Sequence, residues 1–124
     1  MSAAAPRRKL HSEKKPWPPF GAKISALIKR GEKPNVFIIA GSNAWRLHEI
    51  RSERIVLPPG EDPSDFDWTL LKGLSPTVIG DDAPRSTLRK LAWCLLRAGC
   101  PLVCVIYRDL IAENILRVNF FRNE

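Results

Sequence analysis

The sequence predicts an α/β fold: a three-layer, Rossmann-like domain in which helices cover a four-stranded, mainly parallel sheet, preceded by a basic N-terminal arm. Three observations lead there. Four short runs, "NVFIIAG" (35–41), "RIVLPP" (54–59), "TVIG" (77–80) and "PLVCVIY" (101–107), are almost continuously apolar, as strands buried on both faces are. Segments with helical spacing alternate with them. A hydrophobic share of 44% in 124 residues suits one packed domain.

Residues 1–20 read as an arm, because Pro6, Pro16, Pro18 and Pro19 exclude a regular helix. The domain spans 21–124. "GAKISALIKRG" (21–31) is a short helix with Ile24, Leu27 and Ile28 on one face and Gly31 as its stop. After the first strand, "SNAWRLHEIRSE" (42–53) reads as a helix capped by Ser42 or Asn43. "GEDPSDFDWTLLKGL" (60–74) reads as a short helix or an ordered loop between the second and third strands. The clearest helix is 83–98, where Leu88, Leu91, Ala92, Leu95 and Leu96 fall on one stripe and Gly99 follows. "DLIAENILRV" (109–118) is expected as a final helix capped by Asp109.

Charge is unevenly placed. The net charge is +7, and residues 1–33 hold nine Lys/Arg against two acids; residues 34–124 balance eleven against eleven. A cationic arm on a neutral body points to a polyanionic partner, nucleic acid before a membrane surface. Arg7, Arg8, Lys9, Lys14 and Lys15 are the arm residues expected to contact phosphates, with Arg85 and Arg89 at the start of the 83–98 helix as a second basic cluster. A run of eighteen apolar residues is absent, so no membrane span is expected, and the basic N-terminus lacks the apolar centre of a secretory signal. Cys94, Cys100 and Cys104 form no C-x-x-C and have no histidine at ligand spacing. They read as buried, inert thiols of a cytoplasmic protein.

In a parallel sheet, ligands bind beyond the carboxyl ends of the strands. "AGSNAW" (40–45) lies at one such end but lacks the second glycine of a nucleophile elbow and the pattern of a phosphate loop. Asp81 and Asp82 lie at another. Two carboxylates could hold Mg²⁺ for phosphoryl transfer. Neighbours along a strand point to opposite faces, however, and the adjacent strand end, Ala40-Gly41, brings no further carboxylate. The preferred reading makes Asp82 the cap of the 83–98 helix, with Pro84 in its first turn.

The order "VFIIAG…LPPG…W..LKGLSPTVIGDDAPRSTLRKLAWCLLRAGCPLVCVI" resembles the Toprim domain of phage and plasmid primases over roughly residues 36–107. In that family a first strand ends in Glu-Gly and a third in Asp-x-Asp. Gly41 and Asp81 match, but Ala40 and Ala83 stand where the catalytic glutamate and second aspartate belong. The resemblance implies a catalytically dead relative, and the chain also resembles small accessory proteins of conjugative plasmids.

The function expected from the sequence is therefore a non-catalytic accessory protein of a mobile element, in plasmid transfer, replication or their regulation, acting through nucleic-acid and protein binding without a cofactor. One alternative is a metal-dependent nuclease or nucleotidyl-transfer enzyme using Asp81, Asp82 and Mg²⁺. Another is an inhibitor or interaction protein that touches no nucleic acid. Thermal melting separates the enzyme from the rest, since a ligand of the native state raises the melting temperature. Millimolar Mg²⁺ or Mn²⁺ should leave the melting temperature unmoved, and Asp81→Asn should be as stable as the wild type. A metal-dependent rise that Asp81→Asn loses would instead establish the enzyme.

Overall fold

Runs of β-branched and other apolar residues build a five-stranded sheet in the computed structural model, which describes residues 22–41, 53–80, 83–109 and 115–123. Its strands are β1 (Val36–Ala40), β2 (Glu53–Leu57), β3 (Thr77–Gly80), β4 (Leu102–Asp109) and β5 (Ile115–Arg122). The spatial order is β2-β1-β3-β4-β5. Strands β2, β1, β3 and β4 are mutually parallel, and β5 returns antiparallel to β4. Two helices are described, α1 (Ala22–Lys29) and α2 (Arg85–Arg97).

One face of the sheet carries the main core. Alternate residues Val36, Ile38, Ala40, Ile55, Leu57, Val78, Val103 and Val105 join one apolar cluster with Leu88, Leu91, Ala92 and Leu95 of α2. Each of those leucines contributes roughly 1.5–3 kcal/mol on burial. Ile24 of α1 belongs to the same cluster. So do Phe66, Trp68, Leu71 and Leu74 of the segment between β2 and β3. That segment makes two single 3₁₀ turns, Pro63–Asp65 and Thr69–Leu71. Buried Trp68 meets Phe66 edge-on with centroids 6.0 Å apart and donates its indole N–H to the Pro63 carbonyl at 2.8 Å. Ile39, fully buried, lies on the opposite face by strand alternation.

Helix α2 stops as its sequence dictates. Gly99 takes φ +106°, the Cys100 N–H reaches back to the Leu95 carbonyl at 3.1 Å, and the chain turns into β4. At its other end α2 lies close over β3. A Cβ added at Gly80 would sit 2.6 Å from both terminal methyls of Leu88, so glycine is what admits the helix. Cys100 is buried and its thiol donates to the Leu71 carbonyl at 3.4 Å. Burial pushes its pKa up to about 11, so it stays a neutral thiol at physiological pH. Burial also pushes up the half-buried Cys104, and Cys94 is half-buried.

Several expectations are corrected. The sheet has five strands rather than four. Residues 109–118 do not form a closing helix: β4 runs on to Asp109, and Ile115–Arg122 is a strand. The reason is visible in β5 itself, where Leu116, Val118 and Phe120 alternate with Arg117 and Asn119 at the strand period. Helix α2 begins at Arg85, not residue 83, with Pro84 at the cap position; Asp82, the expected cap, lies outside the described residues. The strand expected at 54–59 is Glu53–Leu57, and its two prolines follow it. The helix expected at 42–53 falls, up to residue 52, outside the described residues, as does the arm. No helix among the described residues is long and apolar enough to cross a membrane.

Gly80→Ala should destabilise the fold by about 1–3 kcal/mol through forced displacement of Leu88. The same change made in a Leu88→Ala background should cost much less, and urea melts of the four proteins measure that coupling.

Candidate functional site: a cationic groove along α2 and β5

The rotational setting of α2 decides what the site contains. With Leu88, Leu91, Ala92 and Leu95 turned inward, Arg85, Arg89, Trp93 and Arg97 form one exposed row at four-residue spacing. The helix holds four cations, these three arginines and Lys90, and no acid. Trp93 is 60% exposed, an unusual setting for the largest apolar side chain, and it lies between Arg89 and Arg97 along the row.

The N-terminal end of this row overlooks the carboxyl end of β4. Tyr107 is directly paired with Arg117 of β5, and Val105 with Asn119. The Arg85 guanidinium lies over the Tyr107 ring, 5.1 Å from its centroid, a cation–π contact. Asp109, 8% exposed, anchors the pair of strands to the helix: its Oδ2 is ion-paired with Arg85 Nη2 and accepts from Arg117 Nε, each at 3.1 Å. Two guanidiniums share one carboxylate, so the trio keeps a net positive charge, and Arg89 adds another. Around them is an open groove of about 390 Å³ lined by Arg85, Leu88, Arg89, Val105, Tyr107, Asn119, Phe120 and Phe121.

A second cleft of about 380 Å³ lies beyond the carboxyl ends of β1 and β2, against the start of α2, where the strand order reverses and doubly wound sheets bind ligands. Its electrostatics differ. Among the described residues the cation it offers is Lys90, held at 3.3 Å by Asp62. The Asp62 carboxyl lies below the ordinary carboxylate range, chiefly because it accepts from the Ser64 N–H at 2.9 Å and the Ser64 hydroxyl at 2.8 Å, with Lys90 a smaller cause. Prolines 58, 59, 63 and 84 and a compensated ion pair make this cleft poor for a polyanion. The groove at β4 and β5 suits one better.

The structure thus brings Arg85 and Arg89 together, as the sequence suggested, and adds Tyr107, Arg117, Asn119, Trp93 and Arg97. Arg117 was missed because 109–118 read as a helix, and Asn119 because it fell in the tail after it; Arg97 and Trp93 were legible as a four-residue spacing from Arg85. Arg7, Arg8, Lys9, Lys14, Lys15, Asp81 and Asp82 lie outside the described residues. Comparison with family models, with curated proteins and with solved structures gives no match.

Asp109→Asn should lower stability by about 1–3 kcal/mol, less than a fully buried pair because both arginines reach solvent. It should at the same time steepen the salt dependence of polyanion binding, by releasing two guanidiniums from their counter-charge. Thermal melts and heparin-column elution against salt read the two effects separately.

Proposed function

We propose that the protein is a non-catalytic nucleic-acid-binding accessory protein, and that the exposed row Arg85, Arg89, Trp93 and Arg97 is the observation that carries this reading. Single-stranded nucleic acid is bound by cationic tracks that follow the backbone, with aromatic faces on which bases stack. The row supplies both at a spacing of about one helical turn, or about 5.4 Å. Tyr107 extends the aromatic surface into the groove, and Asn119 offers a side-chain donor and acceptor there. The arm residues Arg7, Arg8, Lys9, Lys14 and Lys15 add long-range, sequence-independent affinity, which accounts for a chain whose whole charge excess precedes residue 34.

Its setting in a mobile element, in plasmid transfer, replication or their regulation, and the Toprim-like three-layer form of the fold are part of this proposal. They rest on the sequence pattern over residues 36–107. In that reading the acidic positions of the primase domain have been given up and the chain retains its capacity to bind.

Fluorescence anisotropy with a short single-stranded oligonucleotide over a range of salt concentrations tests the proposal. Deleting residues 1–15 should weaken binding and flatten its salt dependence. Arg89→Ala and Arg97→Ala should each reduce the slope by about 1. Trp93→Ala should cost about 1–3 kcal/mol with little change in slope, as loss of a stacking face does. Binding that survives both the deletion and the combined arginine substitutions unchanged would overturn the proposal.

A further inference from the structure

Strand β5 is the outermost strand of the described sheet, eight residues long, and among the described residues no strand pairs with its outer edge. Leu116, Val118 and Phe120 are 64%, 50% and 62% exposed. This long edge strand has no proline or lysine, and its charges are confined to Arg117 and Arg122, so two of the usual devices that prevent pairing with another chain are missing.

The hydrogen-bond register shows which backbone groups it offers. Asn123 N–H donates to the Pro101 carbonyl at 3.0 Å, and these two residues are directly opposed in the antiparallel register. Opposed pairs alternate between bonded and non-bonded, so Phe121, Asn119, Arg117 and Ile115 bond to β4. The Cys104 N–H agrees: it donates away from β5, to the Pro76 carbonyl at 3.2 Å, which makes Cys104 and its opposite number Phe120 a non-bonded pair. The N–H and C=O groups of Leu116, Val118, Phe120 and Arg122 therefore point off the edge.

We infer that this edge pairs with β5 of a second copy of the chain, antiparallel about a two-fold axis at Val118, joining two sheets into one. Directly opposed residues must share a face, which restricts the two-fold registers to those that place one residue opposite itself. With Val118 on the axis, Leu116 meets Phe120 of the second copy on one face. On the other, Ile115 meets Phe121 and Arg117 meets Asn119. No cation faces a cation. Moving the axis to Arg117 sets the two Arg117 side chains opposite each other, and moving it to Asn119 sets Leu116 against Arg122; both are worse. The bonds of the Val118-centred register come from the outward-pointing groups just identified. The pairing also places the two cationic grooves on one face of the joined sheet, on either side of the axis.

Sedimentation velocity on the full chain tests this. The wild type should sediment as a dimer of the 14.0 kDa chain at micromolar concentration. Val118→Pro removes one outward N–H per copy and no bond to β4, a position where an edge strand accepts proline. It should raise the dimer dissociation constant roughly tenfold to a hundredfold while circular dichroism stays unchanged. Leu116→Lys and Phe120→Glu should each weaken the dimer, and the double variant should recover it, because those positions oppose each other only across the axis. A wild-type monomer up to millimolar concentration, or folded charge variants whose combination fails to re-associate, would overturn the inference.

Discussion

The inward stripe of α2, Leu88, Leu91, Ala92 and Leu95, fixes the helix in one rotational setting against Val78, Val103 and Val105, and the surface of the molecule follows from that setting. Rotate α2 by one residue and polar side chains enter the core, at a cost no surface ion pair could offset. Gly80 lets the helix come close enough for Leu88 to seat, and Gly99 lets the chain leave it for β4. Once the stripe is inside, the row from Arg85 to Arg97 is turned outward, with Arg85 over the Tyr107 ring and paired with Asp109. The cationic surface is thus a by-product of apolar packing that the sequence has then filled with arginine.

Acids on the body are placed so that they neutralise some cations and leave others. Asp62 takes Lys90, and Asp109 takes one charge from the pair Arg85 and Arg117. Glu61, Asp62, Asp65 and Asp67 gather in the connection between β2 and β3, away from the groove lining. A body with no net charge over residues 34–124 therefore still presents a positive side. Salt screens such exposed charge over about 8–10 Å, so its influence on a partner is local. The arm, residues 1–20, holds five cations against one acid, and in the proposed reading it acts on a polyanion from further away.

Where the sequence was legible, a single period dominated. The runs at β1, β3 and β4 are too continuously apolar to be anything but buried strands, and α2 has an unbroken stripe and a glycine stop. Residues 109–118 failed because two periods compete there. Ile111, Ile115 and Val118 satisfy a helical template at i, i+4 and i+7, while Leu116, Val118 and Phe120 satisfy a strand template that runs on past residue 118. No Asn-Gly or Asp-Gly pair marks a hairpin between β4 and β5. Bonding along the length of β4 decides the matter, and such a non-local gain leaves no trace in local spacing. Arg117 and the anchoring role of Asp109 went unseen for the same reason: a residue taken for a helix cap is the end of a strand, holding two arginines.

Strand β5 shows how alternation lets one short element carry separable properties. Its odd-numbered residues bond to β4 and send Arg117, Asn119 and Phe121 toward α2 and the groove. Its even-numbered residues turn their backbone groups to the open edge and their side chains to the opposite face, although Phe120 also borders the groove. Because a strand repeats every two residues, chemistry on one set leaves the other nearly untouched. Association through the edge therefore leaves the cationic groove exposed, and it doubles the positive surface presented on one face. Counter-ion release grows with the number of phosphates engaged at once, so in the proposed reading two linked grooves would bind one strand far more tightly than either alone. In the proposed reading the open edge and the cationic row, each unremarkable when taken singly, would reinforce each other in holding a polyanion.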